Sequence, residues 1–128
     1  MIVYSSGSEG GPASRLRILV VEDDATSRRA MTRIFEMLGY DVSGAGNVAE
    51  GMAALNGHPD SLILDLMLPD GSGMEILRRI RAEQLPIRVA ILTGADKPMV
   101  DQARQLEPDA LFSKPIDLSR LLTWLNAA

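Results

Sequence analysis

The 128-residue chain contains no cysteine, so disulfides, thiolate metal centres and cysteine nucleophile chemistry are all excluded. That agrees with a reducing cytoplasm, the expected location. No apolar run is long enough for a membrane span. Only Ile2, Val3 and Tyr4 follow Met1 before the polar stretch Ser5 to Pro12, which is no apolar core for a secretory signal. An excess of positive charge is also missing. Thirteen Lys and Arg stand against 17 Asp and Glu, a net charge of -4, so no overall positive field exists to gather phosphate backbones. Neither nucleic acid nor membrane is expected as a direct partner. The phosphate loop G-x-x-x-x-G-K-[ST] is absent, which leaves ATP hydrolysis without machinery. The lone histidine, in Gly57-His58-Pro59, reads as a turn residue rather than a phosphohistidine or metal ligand.

What is present has the size and mixture of one soluble domain, 46% hydrophobic and 23% charged. Residues 1–14 are Gly/Ser-rich without apolar periodicity and are expected to be a flexible tail or linker, leaving 15–128 as the folded domain. Five strand-like runs follow: Leu16 to Val21, Tyr40 to Ser43, Leu62 to Leu64, Val89 to Leu92 and Ala110 to Phe112. Four are nearly all apolar, as strands covered on both faces should be. Tyr40 to Ser43 alternates and reads as a sheet edge. Between the strands lie five helical patterns. Ala30, Met31, Ile34, Phe35 and Leu38 form the first, stopped by Gly39. Asn47 with Glu50, and Ser72 with Glu75, look like capping boxes opening the second and third, and Gly57 closes the second. Asp96 with Pro98 starts the fourth, and Leu118, Leu121, Leu122 and Leu125 line the fifth. Strands alternating with helices predict an α/β, doubly wound parallel sheet with helices on both faces.

In such a sheet, ligands sit outside the carboxyl ends of the strands where the winding reverses. Here strand one ends in Glu22-Asp23-Asp24, strand three in Asp65, strand four in Thr93, and strand five runs into Lys114-Pro115. Crowded carboxylates repel one another until a hard cation or a cationic side chain relieves them, and Mg²⁺ suits an all-oxygen set. Asp65 can then act as a nucleophile toward phosphorus, forming an acyl phosphate, with Mg²⁺, Lys114 and the Thr93 hydroxyl receiving the phosphoryl oxygens. Each residue alone has a bland reading, as turn former, backbone-bonded hydroxyl or surface lysine. Their conjunction at four strand ends carries the weight.

Over residues 16–126 the sequence resembles the receiver domains of two-component response regulators, of the chemotaxis-receiver type. The resemblance rests on Ile18 to Asp24, on Leu62 to Gly73 with Asp65 at its centre, on Ile91-Leu92-Thr93-Gly94, and on Lys114-Pro115. It implies a flavodoxin-like fold of strand order 2-1-3-4-5 and a cis Lys114-Pro115 bond. It makes Asp65 the phosphoacceptor, Glu22, Asp23, Asp65 and the Met67 carbonyl the Mg²⁺ ligands, Thr93 the switch hydroxyl and Lys114 the phosphate partner. The donor would be a sensor histidine kinase or a histidine phosphotransfer protein. The chain would be no enzyme beyond self-directed phosphoryl transfer and aspartyl-phosphate hydrolysis.

Two departures stand out. Leu111 occupies the position where the family usually has Tyr or Phe, and Phe112 should point to the opposite face of its strand. Readout through the loop Gly94 to Lys97 is expected instead, Gly94 permitting unusual backbone angles. Glu107-Pro108 replaces a small pair before strand five, and helix four should stop ahead of it. By analogy, helix 4, strand 5 and helix 5 form a partner or dimer face. The residues after Leu125 leave no room for an output domain, so an effector is expected on another chain or a missing domain.

Competing readings are weaker. Gly44-Ala45-Gly46-Asn47-Val48-Ala49 fits the dinucleotide fingerprint, with Asp65 at about the right distance, yet follows an edge strand and leaves the acid cluster unexplained. A haloacid-dehalogenase-like phosphatase would need an acid where Met67 stands. A receiver-like scaffold that is never phosphorylated has no need of the full set of acid, hydroxyl and lysine groups.

Overall fold

A computed structural model describes residues 15–127; the segment 1–14, expected to be a tail or linker, and Ala128 lie outside the described residues. In chain order the elements are β1 (Arg17–Val21), α1 (Ala25–Met37), β2 (Asp41–Ala45), α2 (Val48–Ala54), β3 (Ser61–Asp65), the two-residue strands β4 (Met67–Leu68) and β5 (Gly71–Ser72), α3 (Met74–Ala82), β6 (Arg88–Thr93), α4 (Lys97–Arg104), β7 (Ala110–Ser113) and α5 (Leu118–Asn126). Five strands form one parallel sheet in the order β2-β1-β3-β6-β7, and β4 and β5 make a separate antiparallel hairpin. The doubly wound α/β sheet expected from the sequence is the fold.

Alternation along the strands divides the core in two. Leu19, Val21, Leu62, Leu64, Val89 and Ile91 pack with Leu55, Ile76, Leu77, Ile80 and Ala103, beneath α2, α3 and α4. Ile18, Val20, Ile63, Ala90 and Leu92 pack with Met31, Phe35, Leu121 and Leu125, beneath α1 and α5. Each Val, Leu, Ile, Phe or Met side chain among them taken wholly out of water contributes roughly 1.5–3 kcal/mol, and successive strand residues serve opposite faces. Leu111 and Phe112 follow the same rule, packing against the first and second core respectively. Among the described residues, no helix is long and apolar enough to cross a membrane.

Several element boundaries differ from the sequence reading. β2 runs to Ala45 rather than Ser43, because Gly44 and Ala45 pair with Val20 and Val21 and the ladder overrides glycine's poor strand propensity. β7 is only partly buried despite its apolar run, since it is the other edge of the sheet. Gly39 (φ 97) does stop α1, with its N–H on Glu36 and that of Tyr40 on Phe35. Past α2, however, the left-handed residue is His58 (φ 55), not Gly57. Asn47 caps α2 as expected, but Glu50 reaches back to Gly46 N–H. At α3 the capping box is only half made: Glu75 accepts from Ser72 N–H, whereas Ser72 Oγ accepts from Met74 one residue too early. α4 ends ahead of Pro108, where Arg81 donates to the carbonyls of Leu106 and Glu107.

Candidate functional site

The carboxyl ends of β1, β3, β6 and β7 meet at one edge, and the parallel ladder fixes their heights. Asp65 stands level with Leu92, and Thr93 level with Ser113, immediately before Lys114. Glu22 follows β1 directly, its N–H held by the Ala45 carbonyl. Carboxylate oxygens of Glu22, Asp23 and Asp65 all lie within 4.8 Å of one another, Glu22 and Asp65 buried and Asp23 exposed. Lys114 reaches across from β7 and bridges two of them, with Nζ 2.8 Å from Glu22 Oε1 and 2.9 Å from Asp65 Oδ2. Its peptide bond to Pro115 is cis.

The second oxygens of Glu22 and Asp65 each have a backbone donor. Asp65 Oδ1 accepts from Met67 N–H at 3.1 Å, and Glu22 Oε2 from Asp24 N–H at 3.2 Å. Burial pushes the Lys114 ammonium down, but its hydrogen bonds to Glu22 and Asp65 outweigh that and hold its pKa above the usual value. One ammonium cannot neutralise three carboxylates. The residual negative charge, the all-oxygen donors and the open side at Asp23 fit a hard divalent cation such as Mg²⁺.

Thr93 is buried at the end of β6, and its Oγ1 accepts from Ala95 N–H at 2.9 Å, which leaves its proton free to donate. The unusual backbone angles expected at Gly94 are not found: its φ is not positive, and a Cβ on it would make ordinary contact with Lys114 Cβ at 4.0 Å. Met67 brings its backbone beside Asp65 while its side chain stays exposed. Asp24 stays outside the cluster and caps α1, the Ser27 hydroxyl and N–H drawing its pKa down.

Three positions carry structural roles that pattern reading did not assign. The β4–β5 hairpin places Asp70 against α2, where its carboxylate accepts from Val48 N–H at 2.7 Å and Ala49 N–H at 3.0 Å. Gly73 lies so close under Asp65 that a Cβ would sit 2.1 Å from the Asp65 carbonyl oxygen. Arg28 Nη1 donates to the Glu22 carbonyl at 2.6 Å. Pro69-Asp70-Gly71 is a turn signal that could have marked the hairpin.

The Val48 N–H above all, with those of Ala49 and Asp70 itself, lowers the Asp70 pKa against an opposing desolvation. A carboxyl depressed on folding adds stability above its unfolded pKa, and that stability is lost as pH falls through the folded value. Wild type is therefore expected to lose stability below about pH 4 more steeply than Asp70→Asn, with the variant less stable at neutral pH. Urea unfolding midpoints at pH 3 and pH 7 read this directly, and parallel profiles would contradict it.

Comparison with known proteins places the chain in a family and agrees with its fold. The family model of the response regulator receiver domain matches residues 18–126. The uncharacterized transcriptional regulatory protein YkoG of Bacillus subtilis is 36% identical over 114 residues, covering 87% of this chain and 50% of that protein. The phosphate regulon transcriptional regulatory protein PhoB of Pseudomonas aeruginosa is 32% identical, covering 86% and 50%. The chain thus spans about half the length of these curated relatives. A CheY-like receiver domain structure from Methanospirillum hungatei superposes with a TM-score of 0.83 at 27% identity, covering 89% of this chain and 93% of that one. The response regulator TrrA of Thermotoga maritima, solved in complex with Mg²⁺-BeF, gives 0.78 at 26% identity, covering 88% and 97%.

Proposed function

The chain belongs to the response regulator receiver domain family of two-component systems, and from that premise we propose that it accepts a phosphoryl group on Asp65 from a phosphohistidine of a sensor kinase or phosphotransfer protein. The observation that carries the reading is the Lys114 ammonium bridging Glu22 and Asp65 within a three-carboxylate cluster. An Asp65 carboxylate oxygen attacks phosphorus, a P–O bond forms as the P–N bond breaks, and the imidazole leaves. Glu22, Asp23, Asp65 and the Met67 carbonyl would hold Mg²⁺, which when bound neutralises phosphoryl oxygens. Lys114 pairs with one phosphoryl oxygen, and Thr93 donates its hydroxyl proton to another. Catalysis is charge neutralisation and positioning. Water later cleaves the acyl phosphate and ends the signal.

With Leu111 at the usual aromatic position, the pull on Thr93 passes through Ala95, whose N–H it already holds, into the loop Gly94 to Lys97 that starts α4. Readout goes to an effector on another chain or in a segment beyond this one, and the α4–β7–α5 face is the candidate partner or dimer surface. A cytoplasmic setting follows from the kinase partner.

Mg²⁺ titration followed by amide NMR shifts tests the metal assignment. Wild type is expected to bind with the largest shifts at Glu22 to Asp24 and Asp65 to Met67, and Asp23→Asn to weaken binding at least about tenfold. Acidification should release the ion, since protonated carboxyls are no ligands. Shifts confined to other acidic surface residues would contradict the assignment.

A further inference from the structure

The glycine pair that imitates a dinucleotide fingerprint has another use in this fold. Gly44 is inside β2, paired with Val20, rather than at a strand-to-helix turn, so no phosphate cradle forms there. Both glycines instead lie beneath the Arg28 side chain. A Cβ on Gly44 would come within 3.2 Å of Arg28 Cδ, and one on Gly46 within 3.1 Å of Arg28 Nη1. Neither has a left-handed φ, so space, not conformation, explains them.

We propose that Arg28 is a positioning residue for the Glu22–Asp23 acid pair, and that Gly44 and Gly46 are glycines to admit it. The main chain at Glu22 is held from both sides. Its N–H donates to Ala45 O at 3.0 Å, and its carbonyl accepts from Arg28 Nη1 at 2.6 Å. Asp41 N–H on Leu16 O and Glu22 N–H on Ala45 O set the alternation of the parallel ladder, so the next rung to the Glu22 carbonyl would come from Asn47, past the end of β2. The guanidinium takes its place, while Gly46 N–H donates to Glu50 Oε1 at 2.8 Å. Arg28 is itself fixed by α1, which Asp24 caps. The Glu22–Asp23 peptide plane sets the direction in which the exposed Asp23 carboxylate leaves the backbone. Locking that plane brings Asp23 to the buried Glu22 and Asp65 carboxylates without direct contact between Arg28 and any of the three. An outer partner of this kind is typically worth about 10-fold or more in metal affinity.

The inference rests on the receiver reading and is tested with Mg²⁺ alone as the probe. Arg28→Met keeps the stem and removes the donor; Arg28→Lys restores one. Arg28→Met is expected to shift the Asp23 amide without metal and to raise the Mg²⁺ midpoint about tenfold, while phosphoryl uptake at saturating Mg²⁺ stays near wild type. Arg28→Lys should recover most of the affinity. Gly46→Ala, which displaces the guanidinium, should reproduce the defect, and combining it with Arg28→Met should add nothing. An Arg28→Met midpoint within about twofold of wild type, where wild type binds Mg²⁺, overturns the role of Arg28 and leaves the receiver reading intact. Wild type that binds no Mg²⁺ at the cluster defeats both.

Discussion

A Gly73→Ala substitution is expected to lower the melting temperature by about 10 °C or more and to slow phosphoryl uptake with it. The added methyl would sit 2.1 Å from the Asp65 carbonyl oxygen and 3.1 Å from Leu64 Cδ1. The first neighbour is main chain, in the middle of the sheet, and cannot swing away. Overpacking a well-filled interior costs about 1–3 kcal/mol where side chains can adjust, so about 3 kcal/mol is a fair lower figure here. Each kcal/mol is about 4 °C for a domain of this size. Backbone angles play no part, since Gly73 is in an ordinary helical conformation (φ -58, ψ -21). Any relief must move either α3, whose first residue follows Gly73, or the Asp65 main chain, and the second displaces the phosphoacceptor. Gly57→Ala is the control: nothing lies within 4 Å of its added Cβ, and its φ is not left-handed, so its melting temperature should stay near wild type. Equal melting of the two variants would contradict the close approach.

Lys114→Ala is expected to be destabilising in chelator and much less so in Mg²⁺. Removal of the ammonium strips Glu22 Oε1 and Asp65 Oδ2 of their shared partner while both carboxylates stay buried. Breaking a fully buried pair costs about 3–5 kcal/mol. The Lys114 side chain is 32% exposed, so solvent screening reduces the expected loss to about 1–2 kcal/mol. A bound divalent ion would supply positive charge to the same carboxylates, so the variant should gain more from Mg²⁺ than wild type does. Urea midpoints of both proteins, with chelator and with Mg²⁺, decide the matter. A constant difference between them would show that Lys114 and the metal do not share a charge-balancing role. Phosphoryl uptake should survive in the variant, whereas the amide shifts that follow it from Gly94 to Lys97 should shrink.

The parts of this molecule legible in the sequence are those written in local pattern. Apolar runs mark Leu16 to Val21 and Val89 to Leu92 as strands, and Tyr40 to Ser43 as an edge, because burial on one or two faces leaves a direct trace in composition. Glu22, Asp23, Asp65, Thr93 and Lys114 were visible because a strand end followed by a polar residue is itself a pattern. The remainder depends on long-range backbone contacts. Asp70 holds N–H groups 21 and 22 residues away, and nothing in Pro69-Asp70-Gly71 says which helix the turn will meet. The two-residue strands β4 and β5 are too short to show any period. Gly73 is small on account of a neighbouring carbonyl, and Gly44 and Gly46 on account of an arginine from α1. A glycine required by space looks the same in sequence as one required by conformation, which is how Gly44 to Ala49 came to imitate a nucleotide site.

The central claim is that Asp65 is a phosphoacceptor served by the surrounding acids and by Lys114. It is tested most directly by intact-protein mass after incubation with Mg²⁺ and a small acyl-phosphate donor, on wild type and Asp65→Asn together. The account predicts one phosphoryl increment on wild type, none on Asp65→Asn, and none on wild type in chelator. An increment that persists in Asp65→Asn, or wild type left unmodified by both the acyl phosphate and a panel of phosphorylated kinases despite bound Mg²⁺, would contradict it.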